Sequence, residues 1–581
     1  MQTPDCKPQQ FRMPAPSVRP PHVDGSARCL NGWWDFLPAT DSDPSTAGTP
    51  GRDAPWAEGA YLVPSIWTKS PEGCREPGER QFVMRKDPEP GSGEASPFGD
   101  ATEYLFDAYD YPVVWARCRS GWVRRRFEAH PAPGKRYFLR FEGILAGGRV
   151  FVNGVELGRQ DDPMLPGEWD ATDHLRDGAN ELLVFVTDYA RSVETPRKTL
   201  WPSGNKFTYQ HRGIWQDVWL RERPAVRVAD VTVRPSTRRG ELSWAVELAN
   251  DSAEDFSGEW SADAVRWTGG DAEAAWAAVS EKSFPAVAFS LAAGERTIIR
   301  DVAPWPEAAW WTPESPALYW FRSRLLGGGG VEVDWQAERF GFREVWIEGP
   351  DLMLNDHPVH LFSDWGHKVT PYHHTEAWIR QWFGMIRAVN GNHSRLHTHP
   401  HPRLYLDLAD EAGILITGET ALHGSGGCQA ADEPAYWENA REHVRRFIAR
   451  DKNHPCIVLW SCENEMRHNR DRTPLTWEEL PRLRAHIEEL DPTRPVYHDG
   501  DSGLWDEGRQ PAISRHYGKI CAGWGWWDRS RPLFASEMAV YHYAAPGIVF
   551  QLGGDAVYAD YDALCEAAGR DTEWIVEAGR V

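Results

Sequence analysis

Residues 454–465 read His-Pro-Cys-Ile-Val-Leu-Trp-Ser-Cys-Glu-Asn-Glu, an apolar β-strand pattern that ends abruptly in an Asn-Glu pair. A second run, Arg-Pro-Leu-Phe-Ala-Ser-Glu at 531–537, also ends in a carboxylate. In a (β/α)8 barrel the carboxyl ends of the strands form the active face, so Glu465 and Glu537 would converge on one pocket. Paired carboxylates are what glycoside hydrolysis requires. Two strand-end glutamates in unrelated surface salt bridges would leave the same pattern, and that alternative stays open here.

Length, amino-acid composition and net charge limit the classes of protein to which the chain can belong. A chain of 581 residues exceeds what one hydrophobic core serves, so three or four domains are expected. The 31 tryptophans suit either stacking on sugar rings or filling β-sandwich cores. A net charge of −22 argues against a nucleic-acid partner, because phosphate recognition needs clustered Lys and Arg. The same acidic charge is compatible with a soluble homo-oligomer.

The sequence carries few signals for membrane insertion, export or disulfide formation. No run of about 18 apolar residues is present, and the amino terminus lacks the apolar core of a signal peptide. We therefore expect a cytoplasmic protein with no membrane partner. The nine cysteines are scattered, without a C-x-x-C pair, which predicts reduced thiols.

The pattern of apolar and turn residues changes along the chain, which predicts a multidomain fold. Short β-runs punctuated by turn residues, including an Asn153-Gly154 hairpin, predict a β jelly-roll domain over 1–224. Alternating apolar residues predict an immunoglobulin-like β-sandwich over 225–340. Amphipathic helices then alternate with short buried strands, which predicts a catalytic (β/α)8 TIM-type barrel over 341–581.

Several motifs together resemble glycoside hydrolase family 2, the retaining exo-β-glycosidases that include β-galactosidases, β-glucuronidases and β-mannosidases. The motifs are FVNGVELG at 151–158, DATDHLRDGAN at 170–180, GIWQDVWL at 213–220, WTPESPALY at 311–319 and FGFR at 340–343. The resemblance spans roughly residues 30 to 540. It implies that the jelly roll is a sugar-binding domain.

The resemblance also assigns roles at the strand ends. It places the general acid/base at Glu465, a contact to the sugar 2-hydroxyl at Asn464 and the nucleophile at Glu537. A retaining mechanism needs the two carboxyl groups about 5 to 5.5 Å apart. Glu463 complicates the assignment, because a two-residue strand period puts it on the same face as Glu465, as a third acid at a position where the family usually has a small residue.

Other pocket residues follow from the same comparison. Arg395 resembles the arginine beneath the nucleophile and is our candidate for keeping Glu537 ionised. His397 is interpreted as a hydrogen-bonding pocket residue. An alternative is a metal site built from His397, His399 and His401 on one strand face, although Pro400 and Pro402 interrupt that strand and no cofactor is predicted.

Four further residues complete the predicted substrate pocket. His367 falls on the family's strand-one histidine, although Ser363 replaces the usual glycine. Glu419 closes the third strand as an acidic pocket residue or as part of a structural salt bridge. His516 and Tyr517 end another strand, and Trp524 in the next loop is a sugar platform or a core residue. A structural Mg²⁺ or Na⁺ ion is compatible with the family but is not predicted.

The carboxyl-terminal part departs from the family pattern. Residues 538–581 read as loop and helix, without the family's eighth barrel strand. The sequence therefore predicts an incomplete barrel with unpaired strand edges.

These observations favour a retaining exo-β-glycosidase that hydrolyses non-reducing terminal β-glycosidic bonds of glycosides or oligosaccharides, with β-galactosides as the expected substrates. One alternative is a non-catalytic carbohydrate-binding protein or an inactive barrel fragment. The other is the same chemistry on β-glucuronides or β-mannosides.

Overall fold

The computed structural model describes most of three successive regions of the chain. The ranges are 27–39, 48–51, 53–67, 111–112, 115, 118, 120–187, 199–204, 211–365, 374–424, 429–467, 473–500, 511–516 and 530–537. No helix within these ranges combines the length and the apolar character needed to cross a lipid bilayer.

The first region is built from two antiparallel sheets that enclose one core. Its strands are β1 Ala27–Cys29, β2 Gly32–Ala39, β3 Ala57–Val63, β4 Ser120–Ala129, β5 Lys135–Phe141, β6 Ile144–Leu145, β7 Gly148–Val152, β8 Val155–Gln160, β9 Gly167–Asp170, β10 Gly178–Thr187, β11 Gly213–Ile214 and β12 Val218–Pro224. The sheet orders are β1-β12-β5-β9 and β3-β2-β4-β10-β7-β8, and β11 pairs with β6. Alternation explains the packing, since Tyr137, Leu139 and Phe141 of β5 all point inward.

The predicted Asn153-Gly154 hairpin is confirmed. Both residues have positive φ, 50° and 85°, as the tight turn between β7 and β8 requires.

The second region is another two-sheet sandwich. Its elements are β13 Val226–Ser236, β14 Glu241–Asn250, β15 Phe256–Arg266, α1 Ala272–Trp276, β16 Ser280–Ser283, β17 Val287–Leu291, β18 Arg296–Pro304, β19 Leu318–Leu326 and β20 Glu332–Gly341. One sheet has the order β13-β14-β18 and the other β16-β15-β19-β20, with β17 also paired to β15. Trp244, Trp260 and Trp305 are buried in the core, so part of the tryptophan excess serves packing. The jelly-roll and immunoglobulin-like topologies remain predictions.

The third region carries the parallel strands of the barrel. A short antiparallel entry sheet comes first, with β21 Val345–Glu348, β22 Asp351–Leu354 and β23 His357–Pro358. The barrel elements are β24 Ser363–Trp365, α2 Glu376–Ala388, β25 His393–Arg395, α3 Arg403–Ala412, β26 Leu415–Glu419, α4 Pro434–Asp451, β27 Ile457–Asn464, α5 Pro474–Leu490, β28 Val496–Asp499, β29 Ile513–His516 and β30 Leu533–Glu537. Strands β24 to β28 are parallel neighbours in chain order, and β29 pairs in parallel with β30. Residues 538–581, where strand eight was predicted to be missing, lie outside the described ranges.

Local signals explain where the barrel helices begin and end. Helix α2 begins after Thr375, whose hydroxyl accepts from the backbone N–H of Trp378. Its buried residues Ile379, Phe383 and Ile386 recur at helical spacing. Helix α3 ends at Ala412 and is capped by Gly413, which has φ 66° and lies where an added Cβ would be 2.3 Å from the carbonyl oxygen of Pro313. Only glycine fits this contact between barrel and sandwich.

A buried ionic cluster joins the second sandwich to the barrel. Arg339 of β20 donates to Asp407 at 3.0 Å and to Glu411 at 2.8 Å, both on α3, and lies 3.6 Å from Asp410. Burial opposes the charge of Arg339, but the three carboxylates outweigh it and raise the arginine pKa. These charges can regain contact with water only if the second sandwich and the barrel separate. The ionic cluster therefore holds the two regions together.

We predict that Arg339→Met destabilises the barrel by about 3 to 5 kcal/mol, because it removes a buried cation that the carboxylates of α3 share. Denaturant unfolding followed by tryptophan fluorescence measures the change. The matched control is Arg296→Met, which removes an exposed pair with Glu247 at 2.8 Å and should cost at most about 1 kcal/mol. Equal losses in the two variants would contradict a special role for the buried cluster.

Candidate active site

Polar residues occupy the carboxyl ends of six consecutive barrel strands. Strands β25 to β30 end, in order, at Arg395, Glu419, Asn464, Asp499, His516 and Glu537. All six residues are buried. Because parallel strands present their carboxyl ends at one rim, these side chains meet in a single cluster.

Arg395 lies at the centre of this cluster. Its Nη1 donates to Glu537 Oε1 at 2.9 Å, its Nε donates to Glu419 Oε2 at 2.9 Å, and Nη2 donates to Asn464 Oδ1. The Nε atom also lies 2.7 Å from Asp499 Oδ2. Burial alone would disfavour the cation, but Asp499, Glu419 and Glu537 together raise the arginine pKa well above its ordinary value.

The carboxyl groups around Arg395 do not share one charge state. Burial raises the pKa of Glu419 to about 8, against the opposing pull of Arg395. Asp499 is equally buried, yet Arg395 and the hydrogen bond with His516 hold its pKa far below the usual range. Asp499 also accepts from Ser514 at 2.6 Å and from Tyr497 at 3.1 Å. The environment therefore favours the protonated form of Glu419 and the anionic form of Asp499.

Glu537 is positioned by cationic and polar donors on both sides. Its Oε1 accepts from Arg395 and lies 3.2 Å from His397 Nε2, while Oε2 lies 3.7 Å from His516 Nδ1. The carboxyl side chain is 3% exposed. A guanidinium in contact with a buried carboxyl group favours the ionised form, which a nucleophile needs.

Glu465 is the first residue after β27 and turns out of the strand. Its φ is 52°, in the left-handed region, and its backbone N–H donates to the carbonyl of Asp499 at 3.0 Å. This bend directs the carboxyl group to His516 Nδ1 at 2.7 Å. One oxygen of Glu465 and one of Glu537 lie within 4.8 Å of each other. That proximity suits the short carboxyl separation of a retaining glycosidase.

Glu463 has different partners, so the prediction that it shares a face with Glu465 is wrong. Its Oε2 accepts from the backbone N–H of Met466 at 2.8 Å, and Oε1 lies 3.3 Å from His498 Nδ1. The strand period fails here because the pairing with β28 shifts register between Ser461 and Asn464 and because Glu465 is left-handed.

The remaining predicted residues separate into three groups. His397, Glu419 and His516 join the cluster. His399 and His401 pack against each other, with ring centroids 4.9 Å apart, while His397 contacts Glu537, so the three histidines do not converge on a common metal position. His367, Tyr517 and Trp524 lie outside the described residues.

Asp499 is the member of the cluster that the sequence predictions missed. It follows the apolar run Pro495-Val-Tyr at the end of β28. The rule that singled out Glu465 and Glu537, an acid at the end of a buried strand, identifies it equally well.

Two groups of side chains in the described ranges are compact enough to consider as metal ligands: Asp410, His454 and Cys456, and Glu465, His516 and Glu537. In the first, Asp410 hydrogen-bonds His454 at 2.6 Å, and burial raises the pKa of the Cys456 thiol, which keeps its proton. In the second, a carboxylate faces each ring nitrogen of His516.

Two sequence models of known families match the chain. "Glycosyl hydrolases family 2" matches residues 226–343, and "Glycosyl hydrolases family 2, TIM barrel domain" matches residues 345–547. The chain belongs to glycoside hydrolase family 2. This confirms the family predicted from the sequence motifs.

Curated relatives of this family 2 chain include β-galactosidases. The Aeromonas hydrophila β-galactosidase is 29% identical over 474 residues, which cover 76% of this chain and 42% of that protein. The β-galactosidase of Arthrobacter sp. is 28% identical over 525 residues, which cover 84% of this chain and 44% of that protein. The chain thus spans less than half the length of these relatives.

Solved structures share the fold of this family 2 chain. A β-galacturonidase from Eisenbergiella tayi bound to galacturonate has a TM-score of 0.66 at 20% identity, covering 91% of this chain and 84% of that chain. A Bifidobacterium dentium β-glucuronidase complexed with coumarin-3-O-glucuronide has a TM-score of 0.63 at 19% identity, with coverages of 89% and 84%. The multidomain fold with a TIM barrel is therefore confirmed.

The charge on His516 predicts a specific dependence of stability on pH. Burial lowers its pKa, but hydrogen bonds to Asp499 and Glu465 outweigh burial and raise the pKa from 6.5 to about 10. Its stabilising contribution is complete below pH 6.5 and is lost as pH rises through 10, because only the folded state holds the proton in that window. Melting temperatures from pH 6 to 10 should fall more steeply for wild type than for His516→Gln. The exposed His130, replaced by Gln as a control, should retain the wild-type slope; parallel curves for His516→Gln and wild type would contradict the assignment.

Proposed function

We propose that this protein is a retaining β-glycosidase that releases a non-reducing terminal sugar from β-glycosides, with β-galactosides as the preferred substrates. The observation that carries the proposal is the placement of Glu465 and Glu537, with carboxyl oxygens within 4.8 Å of each other at the rim of the barrel. The two residues also differ in environment. Glu537 is tied to Arg395, whereas Glu465 is 16% exposed.

The first half-reaction uses both glutamates at once. A carboxylate oxygen of Glu537 forms a bond to the anomeric carbon while the glycosidic C–O bond breaks. The electron pair of the broken glycosidic bond stays on the leaving oxygen, which receives the proton of Glu465. The products are a covalent glycosyl-enzyme on Glu537 and an ionised Glu465.

The second half-reaction restores the enzyme. Glu465 accepts a proton from water as the water oxygen attacks the anomeric carbon, and the ester bond to Glu537 breaks with its electron pair returning to the carboxylate. Two displacements leave the β-configuration unchanged. No step requires an organic cofactor, and we assign none.

Neighbouring residues position the sugar and the nucleophile. Arg395 fixes Glu537 and holds the side-chain oxygen of Asn464, so the Asn464 amide nitrogen remains available as a donor to a sugar hydroxyl. His397 Nε2 lies 3.2 Å from the same oxygen of the nucleophile. These contacts orient the reacting groups before the substrate binds.

The choice of β-galactosides rests on the relatives. The two curated relatives described above are named β-galactosidase and are 29% and 28% identical to this chain, whereas the β-galacturonidase and β-glucuronidase described above share its fold at 20% and 19% identity. β-Glucuronides and β-mannosides are therefore the comparison substrates in every assay.

We predict that a 2-deoxy-2-fluoro-β-galactoside with a good leaving group forms a covalent adduct on Glu537. The electronegative fluorine slows both the formation and the hydrolysis of the glycosyl-enzyme. The activated leaving group restores the rate of formation only, so the glycosyl-enzyme accumulates. Intact-mass spectrometry should show one added sugar in wild type and none in Glu537→Gln. Fluoroglucuronides and fluoromannosides run in parallel assign the sugar. A folded wild-type protein that binds galactosides but acquires no adduct would instead be a carbohydrate-binding protein without turnover.

We also predict that Glu465→Gln lowers kcat/KM for phenyl β-galactoside by about 10² to 10⁴, because the amide cannot supply the proton. Glu463→Gln is a closely matched control, two residues away and able to keep the hydrogen bond from Met466. We expect it to stay within about threefold of wild type. A larger loss in Glu463→Gln than in Glu465→Gln would transfer the acid/base role to Glu463.

A further inference from the structure

His516 occupies a position between the catalytic pair and Asp499 that substrate contact alone does not explain. It ends β29, and its side chain is 3% exposed. Its Nδ1 lies 2.7 Å from Glu465 Oε1, and its Nε2 lies 3.0 Å from Asp499 Oδ1. The imidazole thus bridges the end of β28 and the residue that follows β27.

The chemistry of these contacts defines the protonation of the ring. Asp499 is an anion that only accepts hydrogen bonds, so Nε2 carries a hydrogen, and Nδ1 also carries one when Glu465 holds its acid proton on Oε2 and accepts through Oε1. The resulting imidazolium also lies 3.7 Å from Glu537 Oε2 and 3.2 Å from the Ser536 hydroxyl. Arg395 contacts the other oxygen of Asp499, at 2.7 Å.

Backbone packing fixes the ring in this place. Gly500 follows β28 with φ 77°, and an added Cβ there would lie 2.7 Å from His516 Nδ1 and 3.0 Å from Glu465 Cγ. The imidazole and the Glu465 side chain are therefore both packed against the same glycine.

Negative charge moves toward His516 during the first half-reaction. Glu537 begins as the anion and becomes a neutral ester, while Glu465 begins protonated and ends as the anion. His516 Nδ1 is 2.7 Å from the oxygen of Glu465 but 3.7 Å from that of Glu537. A fixed cation nearer to the place where charge appears stabilises the transition state more than the ground state.

We propose that His516, held as a cation by Asp499, is a positioning residue that assists the general acid by stabilising the carboxylate that Glu465 becomes. The inference rests on the proposed glycosidase function. The proton that reaches the leaving group comes from Glu465, and His516 keeps both of its own protons throughout. At short range in a protein interior, the 1 Å difference between the two contacts corresponds to about tenfold in rate.

The test is His516→Gln, assayed with aryl β-galactosides of graded leaving-group basicity. Glutamine can keep an N–H donor toward Glu465 but lacks the positive charge. We expect kcat/KM for phenyl β-galactoside to fall about tenfold or more, and that for 2,4-dinitrophenyl β-galactoside to change less than about twofold, because dinitrophenolate leaves without a proton.

The matched control is His498→Gln, a buried histidine of β28 that contacts Glu463 instead of Glu465. It should leave the dependence on leaving group as in wild type. His516→Asn, with a shorter amide, is the second variant if His516→Gln does not fold. In the Glu465→Gln background, His516→Gln should have no further effect on phenyl β-galactoside.

Different results would contradict the role of His516 and the proposed glycosidase function. Equal losses for both leaving groups would show that His516 has only a structural role and would overturn the inference. Trapping on Glu537 by an activated fluorogalactoside would still support the glycosidase in that case. If wild type itself forms no adduct, the proposed function fails.

Discussion

One buried guanidinium organises the barrel rim. Arg395 contacts acceptors at the ends of β26, β27, β28 and β30, so a single side chain connects strands that are far apart in sequence. Several carboxyl groups at close range would repel one another and could not stay buried without this cation. The strand ends are therefore tied together by the same interaction that prepares the nucleophile.

The cluster divides its charges unevenly, and that division creates chemical roles. Burial favours the protonated form of Glu419, whereas Arg395 and His516 hold Asp499 as an anion. Asp499 thereby supports a second cation close to Glu465. Two positive charges consequently face the catalytic pair, with Arg395 at Glu537 and His516 nearer to Glu465. Similar carboxyl groups acquire different functions through their neighbours.

The sandwich regions contribute to the site by holding its loops. Asp162 of the first region accepts from His443 Nδ1 at 2.8 Å, and His443 Nε2 accepts from the backbone N–H of Ala421 at 3.1 Å. Ala421 lies in the loop after β26, and Gly424 of that loop donates to the carbonyl of Asn464. These hydrogen bonds, together with the short loop from Ala421 to Gly424, connect the first sandwich to Asn464, the residue beside the acid/base. The site depends on interfaces between domains as well as on the barrel.

The sequence by itself determined the order of the structural regions, the parallel strands and the carboxylates at their ends. These features follow from local periodicity and from the rule that a polar residue ends a buried strand, as at Glu465 and Glu537. The arginine and acid/base assignments came instead from motifs with a family resemblance. Tertiary structure alone decided the partners of Glu463, the central place of Asp499 and the bridging of His516. At the end of β27, a register shift and the left-handed backbone of Glu465 interrupt the two-residue strand period. Contacts between strands determine which side chains of the cluster carry protons. Such contacts depend on distances between segments remote in sequence, which local patterns do not encode.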